Sequence, residues 1–426
     1  MNVPRTLIVG ASVGGVRVAQ ALRAEGYVGQ IVLIDAESEL PYDKPPLSKG
    51  LLLGTTDPER IRLLTEEKAA ELDVELRLGV AAIGLDAVAR QVALADGSTE
   101  AYDTLVVATG VAASRGPWGG LHGSGVHVVR TLADASALRK ELIAGGPVVV
   151  IGSGFIGAEV AASARSLGLE THLIDPVPTP MSRSFEPGVG AIFAELHQDR
   201  GVITHFGVGV EDVSRARGGL DVRLSDGSVL AAAVVVVGIG AHPVTDWLRG
   251  SGVTLDDGIV CDEHLRAESP GEPGSIYVVG DVCRWRDAET GDLIRAEHWT
   301  NAVDQASCAA RNIVHPDELH AYRAIEYVWT DQYDWKIQVV GAHHGAASSR
   351  TIGNPEGGRF VVLYATEDGA LRGAAVANWP KALVTTRKAM AAGHSLVEVA
   401  DKLAAGPSPV RTDGESALGS GDGSRR

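Results

Sequence analysis

Apolar and polar residues at the start of the chain follow a pattern that predicts a strand, a turn, a helix and a second strand. Residues 6–9 form an apolar run long enough for one buried parallel strand, and residues 31–34 form another that ends on Asp35. Residues 16–23 between them have helical spacing, and a glycine-rich turn at residues 10–15 precedes them. This is the arrangement of a dinucleotide-binding unit.

The same pattern returns about 140 residues further along the chain. Residues 147–151 predict a strand, residues 158–167 a helix, and residues 171–174 a second strand that ends on Asp175. The turn of this unit has all three glycines of the dinucleotide fingerprint, at Gly152, Gly154 and Gly157. Two such units predict two bound nucleotides on two domains.

The turn of the first unit departs from the fingerprint at one position. Gly10 allows the tight turn and Gly15 lets helix and strand pack closely, whereas Ser12 stands where a second glycine is usual. We expect serine to be tolerated, because it is small and its hydroxyl can donate to a phosphate. The N–H groups at the helix start attract a pyrophosphate. Asp35, which precedes Ala36, can accept hydrogen bonds from ribose hydroxyls.

The remaining apolar runs predict further strands and two connections between domains. The segments 111–125 and 238–240 contain the glycines typical of such crossings. Residues 202–206 and 221–224 predict a small antiparallel insert. Buried strands are predicted at residues 105–108, 233–237 and 276–279.

The last part of the chain has no glycine fingerprint. A helix is predicted at residues 299–313, and alternating runs between residues 323 and 403 predict an antiparallel sheet closed by a pair of helices. The polar, Gly- and Ser-rich residues 406–426 are expected to be disordered.

Length, composition and charge restrict the class of protein. A chain of 426 residues suggests two or three domains, and 45% hydrophobic with 22% charged residues is typical of a globular protein. The net charge of −16 argues against nucleic acid as a partner. No apolar run reaches the roughly 18 residues of a membrane span, and no signal segment is recognisable, so we expect a cytoplasmic protein. The three cysteines, Cys261, Cys283 and Cys308, form no CxxC pair and are expected to be buried reduced thiols, and no metal site is predicted.

With both units placed, the chain resembles the FAD-dependent NADH:ferredoxin reductases of oxygenase and cytochrome P450 systems. This family is a branch of the glutathione-reductase-like flavoproteins and includes putidaredoxin reductase and biphenyl dioxygenase reductase. The resemblance covers residues 5–403 and is carried by VGASVGG, LPYDKPPLSKGLL, LVVATG, VVVIGSGFIGAEVA, VVGIGAHP, YVVGDV, AEHWTNAVDQASCAARNI and VWTDQYDWKIQVVG. It implies an α/β fold with two Rossmann-like domains, for FAD and NADH, and a C-terminal α+β domain.

The resemblance also implies a domain division and an activity. The FAD domain would be split between residues 1–112 and 243–322, the NADH domain would span 113–242, and residues 323–405 would cover the flavin. Electrons would pass from NADH through FAD to a small iron–sulfur ferredoxin that supplies a cytochrome P450 or a Rieske oxygenase. The sequence leaves open whether the protein is a monomer or a homodimer.

Individual site residues follow from the same resemblance. Lys49 in PPLSK would lie near the flavin N5 and O4, where a cation stabilises the reduced flavin. Trp329 would stack near the isoalloxazine and face the ferredoxin. Further FAD contacts are expected at Gly10, Ser12, Gly14, Gly15, Asp35, Ala36, Ala82, Ala108, Thr109, Gly110, Arg130, Asp281 and Trp299.

On the NADH side, Glu159 would face the nicotinamide and Asp175 the adenosine ribose. A carboxylate accepts from a 2′-hydroxyl but repels a 2′-phosphate, and residues 176–178 offer no arginine, so we predict NADH over NADPH. Lys49, Glu159 and Trp329 are the catalytic candidates. The remaining NADH contacts are expected at Gly152, Gly154, Gly157, Arg183 and Gly240.

The chain has no cysteine at residues 44–49, where thiol-dependent enzymes of this fold carry theirs. Electrons therefore leave the flavin singly, and a ferredoxin is the expected acceptor. Basic residues near the flavin edge would steer an acidic ferredoxin, with Lys336, Arg387 and Lys388 as candidates. A rubredoxin reductase, an NADH oxidase and an NADH-responsive binding protein resembling apoptosis-inducing factor remain as alternatives.

Overall fold

The computed structural model describes residues 3–272, 274–324 and 326–405, so the disorder expected of residues 406–426 lies outside the described residues. No helix in the described part could cross a membrane, because none combines the necessary length with an apolar sequence. Among the same residues, no three His, Cys, Asp or Glu side chains are placed to hold a metal ion. All three cysteines are free thiols; Cys261 and Cys283 are buried as predicted, whereas Cys308 is partly exposed.

The first dinucleotide unit forms a sheet of five strands that are all parallel. Leu7 and Ile8 in its central strand have no exposed surface, as expected of a parallel strand covered on both faces. The predicted helix, Val13–Ala24, packs along the helix Trp299–Val314. The strand order is Ile276–Val278, Thr104–Val107, Arg5–Val9, Gln30–Ile34 and Val74–Arg77.

The second unit repeats this architecture. Its helix, Phe155–Ser166, packs on the central strand, and the five parallel strands have the order Ile203–Phe206, Thr171–Asp175, Val148–Ile151, Val234–Val237 and Val126–His127. The prediction that residues 202–206 belong to an antiparallel insert is wrong, because Ile203–Phe206 pairs in parallel with Thr171–Asp175. As an edge strand it is only partly buried, so its polarity does not reveal its partner.

Small sheets lie beside the two parallel ones. The start of the first predicted crossing pairs with the residues that follow the second one, since Val111–Ala113 is antiparallel to Ala241–Pro243. The segment 111–125 was predicted to be a loop, and this is wrong for its start, which forms the strand Val111–Ala113. The other small sheets are Ala82–Asp86 with Gln91–Leu94 and Thr99–Ala101, Val210–Ala216 with Gly219–Leu224 and Val229–Ala232, and Ile259–Cys261 with Cys283–Arg286 and Leu293–Ile294.

The C-terminal part is the predicted antiparallel sheet with a helix pair. Its strand order is Tyr327–Gln332, Trp335–Gly341, Leu371–Ala377, Arg359–Ala365 and Ser348–Asn354. The helices Pro380–Ala391 and Leu396–Ala404 pack on one face, and Phe185 and Phe193 of the second unit belong to the core on the other. The remaining α-helices are Gly50–Leu53, Glu66–Glu71, Leu132–Ala144 and Pro187–Asp199, and the 3-10 helices are Pro45–Ser48, Pro58–Ile61, Gly116–Leu121 and Asp246–Leu248.

The turn between the first two strands of this sheet is anchored on the second dinucleotide unit. Tyr333 Oη lies 2.9 Å from His197 Nδ1. Asp334 accepts from the guanidinium of Arg200, which also lies over the Tyr333 ring. Tyr333 adopts a φ of 58°, a conformation that is costly for a bulky residue. These contacts hold the turn against the helix Pro187–Asp199.

The buried His197 makes stability depend on pH. Burial lowers the pKa of His197 from 6.5 to about 4. The unfolded chain binds a proton between these values that the native state does not, so stability is lost as the pH falls through this window. We expect this group to remove about 2 kcal/mol of unfolding free energy between pH 7 and pH 5. Urea unfolding at both pH values measures the loss, and an equal loss in His197→Gln would contradict it.

Candidate functional site

The first and last glycines of each turn lie where a side chain would collide with a neighbouring carbonyl oxygen. A Cβ on Gly10 would overlap the Ala108 carbonyl, and one on Gly15 would overlap the Gly10 carbonyl. In the second unit, a Cβ on Gly157 would overlap the Gly152 carbonyl. The glycines therefore permit close contact between helix and strand in both units, as their spacing predicts.

Gly154 and Ser12, the middle positions of the two turns, have a different role. A Cβ built on Gly154 meets no atom within 4 Å, and its backbone is extended with a φ of −66°. Ser12 is the N-cap of its helix but makes no capping bond with its hydroxyl. Both positions border the helix starts, where N–H groups point at an approaching anion.

Gly154→Ala therefore tests the second nucleotide site without disturbing the fold. We expect its unfolding free energy to stay within about 0.5 kcal/mol of the wild type, its FAD content to be unchanged, and its KM for NADH to rise about tenfold. The matched variant Gly157→Ala places its Cβ against backbone and should lose about 3 kcal/mol. Urea unfolding and steady-state kinetics measure both effects. An unchanged KM in Gly154→Ala would place the pyrophosphate elsewhere.

Asp175 is nearly buried at the end of its strand. One carboxylate oxygen accepts from both the N–H and the hydroxyl of Ser153, each at 2.7 Å, and the other accepts from Val177 N–H at 3.0 Å. The oxygen bound to Val177 keeps a lone pair for a ribose hydroxyl, whereas the two bonds from Ser153 occupy both lone pairs of the other. Two further residues expected at the NADH site, Arg183 and Gly240, lie close together. The guanidinium of Arg183 is 3.8 Å from the position of a Cβ on Gly240.

Asp35 holds the corresponding place in the first unit. Its carboxylate accepts from the N–H groups of Ala11 and Glu37, and burial raises its pKa. Ala36 beside it is exposed. The Asp35 carbonyl accepts from Val80 N–H at 2.9 Å, so the segment that leads to Ala82 lies next to Asp35. Ribose contacts at these residues stay predictions.

The carboxyl ends of three neighbouring strands meet at the expected FAD site. Arg130 lies 3.5 Å from the carboxylate of Asp281 and reaches Gly110, where its guanidinium is 3.1 Å from the position of a Cβ. Burial raises the pKa of Asp281, and Arg130 opposes this. Thr109 donates to the Val244 carbonyl at 2.9 Å, which fixes this turn to the second crossing.

An aromatic cluster borders this site. Trp299 Nε1 donates to Asp43 Oδ1 at 2.7 Å, and its ring stands edge-on to Trp329 with centroids 6.0 Å apart. Tyr327 stacks on the other side of Trp329, at 6.0 Å. Arg387 lies over the Tyr327 ring. The predicted neighbours Trp299 and Trp329 are therefore in contact, although they come from a helix and from the C-terminal sheet.

Lys49 and Glu159, both predicted near the flavin, form a buried ion pair. Lys49 Nζ lies 2.9 Å from Glu159 Oε1, with 18% and 2% of their side chains exposed. Ser48 donates to Oε2 at 2.5 Å and Thr330 to Oε1 at 2.6 Å. Burial raises the pKa of Glu159, whereas Lys49 and the two hydroxyls lower it. This cluster joins the first unit, the second unit and the C-terminal sheet.

Sequence reasoning missed Ser48, Thr330 and Asp43 as site residues. Ser48 lies within the PPLSK segment and Thr330 within VWTDQYD, so both were inside segments that identify the family. Their neighbours Lys49 and Trp329 carried the expected chemistry, and a hydroxyl next to them gave no separate signal.

The residues at the first sheet edge fit an FAD. The three strands Arg5–Val9, Thr104–Val107 and Ile276–Val278 lead into glycine-containing turns, and a Cβ on Gly14 would already lie 3.3 Å from Val279. The carboxyl ends of parallel strands are where dinucleotides bind in this architecture. Asp281, whose side chain is 19% exposed, offers an acceptor for sugar hydroxyls there.

Comparisons with known proteins agree with this architecture. Residues 4–306 match the family model "Pyridine nucleotide-disulphide oxidoreductase", and residues 327–408 match "Reductase C-terminal". The chain is 36% identical over 395 residues to the anthranilate 1,2-dioxygenase system ferredoxin–NAD(+) reductase component of Burkholderia cepacia. That alignment covers 92% of this chain and 95% of the relative.

Two solved structures are similar over almost the whole chain. The ferredoxin reductase for the CYP199A2 system from Rhodopseudomonas palustris has a TM-score of 0.88 at 32% identity, covering 93% of this chain and 97% of that one. The covalent putidaredoxin reductase–putidaredoxin complex also gives 0.88, at 29% identity, covering 95% and 97%.

Proposed function

Because the chain belongs to the pyridine nucleotide-disulphide oxidoreductase family and carries its reductase C-terminal domain, we propose that it passes electrons from NADH through FAD to a small iron–sulfur ferredoxin. The ferredoxin supplies a cytochrome P450 or a Rieske oxygenase. We also propose that the domains divide after residues 112, 242 and 322 and that the protein is cytoplasmic. The pairing of Val111–Ala113 with Ala241–Pro243 supports the first two boundaries.

The observation that carries the proposal is the Lys49–Glu159 pair, which Thr330 contacts from the strand that also carries Trp329. The pair lies where the two dinucleotide units meet, so a hydride donor on one unit and an acceptor on the other come together there. FAD, when bound, accepts a hydride and releases its electrons one at a time. Lys49 would hold a positive charge near the FAD, and Glu159 would face the nicotinamide and offer negative charge to its ring.

A groove of about 680 Å³ beside Trp299 and Tyr327 is the proposed docking surface. Its lining contains three arginines, Arg311, Arg323 and Arg387, against two acids, Glu25 and Asp304, which leaves one net positive charge on a protein whose net charge is −16. Local positive charge on an acidic body steers an acidic partner to one place. The cluster of Trp299, Trp329 and Tyr327 leads from the FAD site to this groove.

Reversal of the charge at Arg387 tests the docking surface. We expect Arg387→Glu to raise the KM for putidaredoxin about tenfold at low salt, with a smaller effect at high salt. The control is Lys402→Glu, an equal change on the helix Leu396–Ala404, which packs at the opposite edge of the C-terminal sheet. Equal KM values for the two variants would exclude this groove as the docking surface.

The proposed activity is tested by NADH-dependent cytochrome c reduction with and without putidaredoxin. A ferredoxin reductase should reduce cytochrome c rapidly only when the iron–sulfur protein is present. NADH consumption at an equal rate with oxygen alone would instead identify an oxidase.

A further inference from the structure

One strand of the C-terminal sheet reaches two parts of the site with consecutive residues. Thr330 is fully buried, and its hydroxyl donates to Glu159. Side chains alternate along a strand, so Trp329 and Thr330 face opposite sides of the sheet. Trp329 faces the aromatic cluster, whereas Thr330 faces the second dinucleotide unit.

The carboxylate of Glu159 is held on both oxygens. Ser48 binds Oε2, and Lys49 and Thr330 share Oε1. Lys49 is the charged group whose field acts on Glu159, since the other two contacts are neutral hydroxyls. Hydrogen bonds donated to a carboxylate favour its ionised form. Each donor therefore opposes the effect of burial on the pKa of Glu159.

The hydroxyl of Thr330 is itself oriented by its surroundings. Gln332 Nε2 donates to Thr330 Oγ1 at 3.3 Å and lies 3.3 Å from Met181 Sδ. Because a carboxylate only accepts, the Thr330 proton points to Glu159, and the bond from Gln332 holds the hydroxyl in that orientation. Met181 in turn donates its N–H to the carbonyl of Ser153, in the glycine turn of the second unit, at 3.0 Å.

We propose that Thr330, oriented by Gln332, is a positioning residue that keeps Glu159 ionised and fixed in direction. A fixed carboxylate retains Lys49 in place and stabilises positive charge that develops nearby. The inference rests on the proposed function for the identity of the bound nucleotides. The hydrogen bonds that carry it are independent of that identity.

Infrared difference titration of the carboxyl band of Glu159 tests the proposal without turnover. The band is assigned by its absence in Glu159→Gln. In Thr330→Val, which keeps the shape and loses the donor, we expect the midpoint to rise by about one pH unit. Gln332→Leu keeps the Thr330 hydroxyl but removes the bond that orients it, and should raise the titration midpoint of Glu159 by a smaller amount.

Anaerobic reduction of the FAD-loaded variants by NADH provides the kinetic readout. We expect Thr330→Val to lower the limiting rate about tenfold at pH 7 and to move the acid limb of its pH profile upward, with rescue by Thr330→Ser. The control is Tyr333→Phe in the same hairpin, which loses the bond to His197. It should lower stability and leave the rate within about twofold of the wild type.

The outcomes distinguish a failure of the positioning role of Thr330 from a failure of the proposed function. An unshifted titration midpoint and an unchanged pH profile in Thr330→Val would overturn the positioning role. A wild-type protein that NADH does not reduce would overturn the proposed function, while a shifted midpoint in Thr330→Val would still support the action of Thr330 on Glu159.

Discussion

Glu159→Gln is expected to destabilise the protein by about 3 kcal/mol, because it leaves the ammonium of Lys49 without its negative partner. The Lys49 side chain is only 18% exposed, so water replaces the lost carboxylate poorly. Glutamine has nearly the same shape as glutamate and can keep one hydrogen bond, which isolates the loss of charge. Urea unfolding of the FAD-loaded protein measures the effect.

A double-mutant cycle separates the ion pair from other causes. The double variant Lys49→Met with Glu159→Gln should recover most of the lost stability, because neither buried charge remains. The exposed pair Lys68–Glu71, at 2.7 Å, serves as control and should give a coupling free energy of about 0.5 kcal/mol or less. Wild-type stability in Glu159→Gln would show that Lys49 does not depend on this carboxylate.

Asp175→Asn is expected to reduce the preference for NADH over NADPH about 100-fold. The amide no longer repels a 2′-phosphate, which improves NADPH, and it is a weaker acceptor for a 2′-hydroxyl, which impairs NADH. The ratio of kcat/KM for the two nucleotides is the measurement. Stability should also fall by about 1 kcal/mol, since the Asp175 carboxylate binds Ser153 and Val177.

The equivalent acid of the first unit is the control for this prediction. Asp35 accepts hydrogen bonds from its own turn in the same way. Asp35→Asn should weaken FAD retention and leave the nucleotide preference unchanged. If the preference changed equally in both variants, Asp175 would not be the residue that distinguishes NADH from NADPH.

The parts of the fold that could be predicted are those with a local signal. Each dinucleotide unit is contiguous in sequence, so glycine spacing, apolar runs and the terminal acids Asp35 and Asp175 lie within one segment. The strand Ile203–Phe206 was misassigned because its partner, Thr171–Asp175, is set by tertiary packing at the sheet edge.

The contacts that complete the site join distant segments. Thr330 and Glu159 are 171 positions apart, and Trp299 and Asp43 are 256 apart. No periodicity reports such pairs, and a buried threonine on a strand looks like any other core residue. The family segments indicated that these regions matter, and the structure supplies the side chains that meet.

Anaerobic stopped-flow reduction of the FAD-loaded protein by NADH and, separately, by NADPH tests the proposed reductase activity most directly. We expect rapid bleaching of the flavin band by NADH and a much slower response to NADPH, with electrons then passing to added putidaredoxin. Slow reduction by both nucleotides would contradict a reductase and favour an NADH-responsive binding protein.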